Sequence, residues 1–341
     1  MNNTQLKKIA NLMVEKGKGI LAADESTPTC NKRFDSIKIE SSYINRNTYR
    51  DLLFTTPGME EFISGVILYD ETLRQNTIVD NIPFPEYLSQ KNIITGIKVD
   101  MGTKPLALHD DEKVTEGLDG LRSRLEEYYN LGARFAKWRA VITIGSKIPS
   151  NACIQSNAHA LARYASLCQE AKIVPIVEPE VLMDGDHSIK ECHKISELVF
   201  KRVFEELVIQ DVLLEGIVLK PSMVVSGSEC NEQASVEEVT DRTVECLLAS
   251  VPNDVPGCAF LSGGQTNENA TEHLNQMNKK YGNKLPWNLT YSYGRALQSS
   301  ALKIWQGKSE NFKDAQKAFY NRAKLNSLAT RGKYNSSLET Q

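Results

Sequence analysis

The chain has 341 residues, 41% hydrophobic and 24% charged, with a net charge of −3. That is the balance of a soluble globular protein, and it excludes the broad basic surface that nucleic acid or an anionic membrane would need, so any anion site must be local. Seven scattered cysteines without a Cys-x-x-Cys pair suit free thiols in a reducing compartment, no apolar run approaches the roughly 20 residues of a membrane span, and the N-terminus lacks the apolar stretch of a secretory signal, so a cytoplasmic location is expected.

Taken in chain order, short apolar runs bounded by turn residues predict eight strands. They are "GILAADE" (19–25), "ISGVILYD" (63–70), "ITGIKVD" (94–100), "ARFAKWRAVI" (133–142), "IVPIVEPEV" (173–181), "LEGIVLKPS" (214–222), "GCAFLSGG" (257–264) and "NLTYSYG" (288–294). Between them, residues 111–132, 157–172, 194–209, 235–251 and 267–282 place apolar side chains at three- and four-residue spacing, the pattern of amphipathic helices. The last two stretches end on a small residue or glycine, a helix-stop signal. Strands too apolar to have a wet face, alternating with helices, imply a parallel sheet covered by helices. Eight units at intervals of 31 to 44 residues predict a single (β/α)8 TIM barrel over residues 1–341, with an extra N-terminal helix and a short C-terminal tail. A doubly wound sheet is the runner-up. Residues 332–341, "GKYNSSLETQ", offer only Tyr334 and Leu338 as sizeable apolar side chains, which predicts a mobile tail.

The strands carry charge in their second halves. Residues i and i+2 of a strand share a face, so Lys137 pairs with Arg139, Glu178 with Glu180, Asp24 with Ser26, and Lys98 with Asp100. Lys220 closes a run that is apolar for most of its length, "LLEGIVLK". A lysine at a strand end ordinarily snorkels into water. A desolvated one beside a second ammonium is instead an amine nucleophile towards carbonyls. Five strands ending in charge at the same level favour the second reading, because barrel active sites lie at the C-terminal mouth. The seventh and eighth strands end in "FLSGGQ" and "SYGRAL", where Ser262, Gly263, Gly264 and Gly294 expose backbone N–H groups beside Arg295, the chemistry of a phosphate site.

Two patterns are set aside. "GKGILA" (17–22) mimics a dinucleotide fingerprint, but its glycines precede a strand instead of following one. None of the five histidines forms a paired ligand motif at a strand end, so no metal and no cofactor are expected.

The motifs "GKGILAADEST", "GIKVD", "FAKWR", "VPIVEPEVL", "DGDH", "LEGIVLKPSMV", "FLSGGQ" and "SYGRALQ", spread over about residues 10–330, closely resemble class I fructose-1,6-bisphosphate aldolase. The resemblance implies metal-free, reversible cleavage of fructose 1,6-bisphosphate in a homotetramer, with phosphorylated ketoses and trioses as its ligands. It assigns Lys220 to the Schiff base, Glu178 to acid–base chemistry at the carbinolamine and Asp24 to the proton of the C4 hydroxyl. Lys137, Arg139, Glu180 and Lys98 surround the reacting carbons. Ser262, Gly263, Gly264, Gly294 and Arg295 hold the C1-phosphate, and Arg33 the C6-phosphate. The chain departs from the family pattern at Pro28 and Thr29, and it lacks the C-terminal tyrosine that relatives extend into the site. A specialist for another phosphorylated ketose, or a non-catalytic protein-binding scaffold, are the competing readings.

Overall fold

The computed structural model describes residues 3–340, the last of these without its side chain. Eight parallel strands form a closed barrel: β1 (Gly19–Ala23), β2 (Ile63–Leu68), β3 (Ile94–Lys98), β6 (Phe135–Ile142), β7 (Val174–Val181), β8 (Val218–Leu219), β9 (Gly257–Phe260) and β10 (Asn288–Tyr293). β1 pairs with both β2 and β10, so the sheet has no edge and the doubly wound alternative is excluded. All eight predicted strands are present, each trimmed by one to four residues at one or both ends.

Two apolar clusters build the fold, and strand parity divides them. Ile20, Ala22, Ile67, Phe135, Val174, Ile176, Val218 and Ala259 point inward, and Leu6, Ala10, Met13 and Val14 of the N-terminal helix α1 (Asn3–Met13) and its exit close over them from below. The other parity, including Leu21, Ala23, Ala136, Trp138, Val177 and Leu219, packs outward against the helices. Gly96 leaves room inside for the Phe135 ring, since a Cβ there would lie 2.1 Å from a ring carbon. The lower half of the barrel is therefore a dry plug. Continuing each inward column two residues towards the C-terminal end brings Asp24, Lys98, Lys137, Glu178 and Lys220 to the top of that plug.

The outer layer contains α2 (Thr27–Asp35), α3 (Tyr43–Phe54), α4 (Asp70–Leu73), α5 (Phe84–Gln90), α6 (Leu121–Asn130), α7 (Asn151–Glu170), α8 (Ile189–Ile209), α9 (Val236–Ser250), α10 (Asn267–Tyr281), α11 (Arg295–Trp305) and α12 (Phe312–Ala329). Ser150, Ser188, Ser235 and Thr266 cap α7 to α10 by accepting from the N–H three residues on. The predicted helix over 111–132 begins only at Leu121. Its first part forms a small antiparallel hairpin with β4 (Thr103–Pro105) and β5 (Lys113–Thr115), because Gly117 and Gly120 take φ of 128° and 68°, which a right-handed helix cannot use. α10 stops at Tyr281, just before Gly282 as the spacing predicts, although Gly282 itself is right-handed at φ −50°. Helices α2, α3, α4, α5, α11 and α12 are not among the five that the spacing predicts.

Composition predicts a mobile tail, whereas the structure gives residues 332–339 defined contacts. Tyr334 is buried, its hydroxyl donates to Glu339 Oε1 at 2.7 Å, and Arg322 of α12 donates to both oxygens of the same carboxylate.

Candidate active site

At the C-terminal mouth lies a cavity of about 340 Å³ lined by six buried charged side chains: Glu25, Asp100, Lys137, Glu178, Glu180 and Lys220. A larger cleft, about 920 Å³, opens at the opposite end between α1, α5 and the turn before β6. No buried charged side chain lines that cleft, so charge and not size marks the site.

The three lysines of the mouth differ in their surroundings. Lys137 Nζ is 2.7 Å from Asp24 Oδ2, 3.5 Å from Glu178 Oε2 and 3.7 Å from Asp100 Oδ2. Burial opposes its charge, but these carboxylates, Asp24 first, raise its pKa well above the ordinary lysine value, so it remains an ammonium. Lys98 Nζ is clasped by Asp100, donating to the carboxylate at 2.5 Å and to the backbone carbonyl at 2.6 Å. Lys220 Nζ meets one carboxylate, Glu178 Oε1, at 3.1 Å. Glu178 thus spans the two amines, one on each oxygen. Burial would raise the pKa of Asp24, yet Lys137, then Lys220 and Lys98, hold it well below the usual carboxylate range. Asp24 is therefore ionised at neutral pH.

Above this layer Arg139 pairs with Glu180, and the Arg139 N–H approaches Asp100 Oδ2 at 3.4 Å. Arg139 lies opposite Glu178 in the β6–β7 register, as Lys98 lies opposite Lys137 between β3 and β6. The register thus sets Arg139 against an opposite charge but Lys98 against a second cation, and Asp24, Asp100 and Glu178 offset those two lysines.

The far wall is built for an anion. Gly263 and Gly264 take φ of 59° and 97°, which turns the chain after β9 without a side chain in the way. Gly294 precedes α11 without any side-chain cap; the Leu297 N–H turns back to the Gly294 carbonyl, and the Arg295 and Ala296 N–H groups at the helix start stay open. A Cβ on Gly264 would lie 3.6 Å from Arg295 Nη2, and one on Gly294 would lie 3.7 Å from Arg33 Nη2. Both guanidiniums therefore flank the bare helix end, and Arg33 stands on the same wall as Arg295 instead of marking a separate end of the cavity.

Every residue singled out in the sequence lines the cavity except Gly264, which lies beside it against Arg295. Asp100, Ser292 and Glu25 are among the lining groups to which the sequence assigns no role. Asp100 shares the Lys98 strand end and anchors Lys98. Ser292 follows Thr290 on the inward parity of β10, and its buried hydroxyl has no partner. Glu25 lies one residue past Asp24, and the i, i+2 pattern gives no reason to select it. Among the described residues, no group of three or more His, Cys, Asp and Glu side chains is arranged to hold a metal ion. No described helix is long and apolar enough to cross a membrane.

Fold and site together define a closed (β/α)8 barrel with a charged cavity at its C-terminal mouth, the architecture of a barrel enzyme. The family model for fructose-bisphosphate aldolase class-I matches residues 5–341. The chain is 57% identical over 335 residues to a probable fructose-bisphosphate aldolase class 1 of Xanthomonas campestris, covering 98% of this chain and 99% of that one. It is 53% identical to the cytosolic fructose-bisphosphate aldolase 5 of Arabidopsis thaliana, covering 97% and 91%. A solved structure of the Plasmodium falciparum aldolase, in complex with TRAP and a small-molecule inhibitor, superposes with a TM-score of 0.96 at 50% identity, over 98% of this chain and 96% of that one. The chain belongs to the class I fructose-bisphosphate aldolase family.

Proposed function

We propose that the chain cleaves fructose 1,6-bisphosphate reversibly to dihydroxyacetone phosphate and glyceraldehyde 3-phosphate through a Schiff base on Lys220, the aldol step of glycolysis and gluconeogenesis. The observation that carries the lysine assignment is the division of labour among the three amines. Lys137 is fixed as a cation among three carboxylates and Lys98 is bound to Asp100, which leaves Lys220, touching Glu178 alone, as the amine available to a carbonyl.

Neutral Lys220 attacks the C2 ketone, and Glu178, 3.1 Å from Nζ, relays the protons that turn carbinolamine into protonated imine. Asp24, ionised, accepts the C4 hydroxyl proton as the C3–C4 bond breaks, and the bond's electrons flow into the iminium. The aldehyde leaves and an enamine remains, to be protonated at C3 and hydrolysed from Lys220. Lys137 keeps Asp24 charged and stabilises negative charge developing near C4. Lys98, Arg139 and Glu180 border the carbon chain. Ser262, Gly263, Gly264, Gly294 and Arg295 receive the C1-phosphate, and Arg33, on the same wall, grips a phosphate, the C6-phosphate by family resemblance. Remote binding energy at the phosphates then holds C2 near Lys220.

On the same reading the enzyme needs no metal, works as a homotetramer and resides in the cytoplasm. Borohydride trapping with dihydroxyacetone phosphate, followed by peptide mapping, tests the central assignment: the label should fall on Lys220, and Lys220→Ala should be folded and inactive. Labelling of Lys137 or Lys98 would overturn it.

A further inference from the structure

Strand parity sends Asp24 into the barrel and its neighbour Glu25 the other way, between α2, α3 and α11. Glu25 is buried there and bridges two guanidiniums of different character. Arg50 of α3, 2% exposed, reaches its Oε2 at 2.6 Å. Arg33 of α2, on the cavity wall, pairs with its Oε1 through Nη1. Gln298 of α11 locks the arrangement, with Nε2 donating to Glu25 Oε1 at 3.0 Å and to the Ala22 carbonyl at 2.7 Å. The Gln298 Oε1 accepts from Tyr49 at 3.1 Å and from Arg33 Nη1 at 3.5 Å.

Among the described residues, Arg33 gives only Nη1 to protein acceptors, Glu25 and Gln298. Its Nη2 faces the bare Gly294 turn that opens α11. Burial opposes ionisation of Glu25, yet Arg33 and Arg50 lower its pKa and so favour the carboxylate that grips them. A free arginine loses much rotamer freedom when it binds an anion, and one already held at a single nitrogen loses less. Arg50, too buried to meet substrate, supplies the second positive charge that holds the carboxylate in place.

We propose that Glu25 is a positioning residue for substrate recognition: it holds Arg33 by one nitrogen so that the remaining donors present to a substrate phosphate beside the α11 N-terminus. The proposal rests on the reading of Arg33 as a phosphate ligand. It makes Glu25, Arg50 and Gln298 a supporting frame for binding, with no part in bond cleavage.

A double-mutant cycle tests it, with KM and kcat for fructose 1,6-bisphosphate measured on wild type, Glu25→Gln, Arg33→Ala and the double variant. Glu25→Gln should raise KM roughly tenfold, the loss expected for one charge-assisted contact, with kcat within about twofold and Lys220 trapping intact. Arg33→Ala should raise KM at least as much, and the two changes should not multiply in the double variant. An unchanged or lowered KM in Glu25→Gln overturns the proposal, as does a full tenfold effect persisting when Arg33 is alanine. An unchanged KM in Arg33→Ala overturns the phosphate reading and the proposal with it. If Glu25→Gln alone fails to fold, the cycle is run in an Arg50→Gln background, where neither buried charge is left alone and the same outcomes decide.

Discussion

Lys137→Met isolates the electrostatics of the mouth, because methionine keeps most of the volume and removes only the charge. The wild-type cluster sets Lys98, Lys137 and Lys220 against Asp24, Asp100 and Glu178, a balanced six. Without Lys137, three carboxylates, Asp100 and Glu178 buried and Asp24 half-buried, share two amines, and Asp24 loses its 2.7 Å partner. Breaking a buried pair by removing one member costs about 3–5 kcal/mol, and that loss should appear at pH 7 in urea unfolding.

The pH dependence follows from the signs. The folded pKa of Asp24 is depressed, so its stabilising contribution is present above the unfolded value near 3.8 and is lost only as pH falls through the lower folded value. The folded pKa of Lys137 is raised, so its contribution is complete below 10.5 and is lost only as pH rises through the still higher folded value. Between pH 5 and 9 the wild-type pair is intact and contributes a constant amount. In the variant, burial raises the Asp24 pKa with its main opponent gone, so protonation relieves the strain. The stability gap should therefore be widest at neutral pH and shrink towards pH 4. The same protonation removes the base that takes the C4 proton, so the acid limb of kcat/KM should move upward. A gap under about 1 kcal/mol at pH 7, together with an unshifted acid limb, would refute the account of Lys137 as the counter-charge of Asp24.

Three further outcomes are expected. Arg295→Ala should raise KM for phosphorylated ketoses about tenfold, the low end for a charge-assisted bond because the side chain is exposed, and an unchanged KM would mean that the turns after β9 and β10 hold no phosphate. Activity should survive excess EDTA, since an imine supplies the electron sink, and loss restored by added zinc would contradict that mechanism. Deleting residues 335–341 should lower stability by about 1–3 kcal/mol, because buried Arg322 loses Glu339, while turnover changes less than tenfold, about 1.4 kcal/mol of barrier. A hundredfold drop with trapping intact would place the tail in the site after all.

The sequence by itself determined the eight strands, their order along the chain and the parity of each charged column. Burial on both faces of a parallel strand and a side-chain period of two are local properties, visible in any short window. It therefore led to Lys220, Lys137, Glu178 and Asp24 as groups at the inward ends of strands, and the family motifs assigned their roles. The same parity gave no reason to select Glu25, whose outward face has no meaning until α3 and α11 stand beside it. Only the tertiary structure decided which amine is committed and which is available. It alone placed Arg33 on the wall of Gly294 and seated Tyr334 against α10 and α12. These relations join residues as far apart as Glu25 and Gln298, 273 positions along the chain. Such partners are chosen by barrel closure and helix packing, which no local pattern encodes, and closure also converts five separate strand ends into one charged cavity.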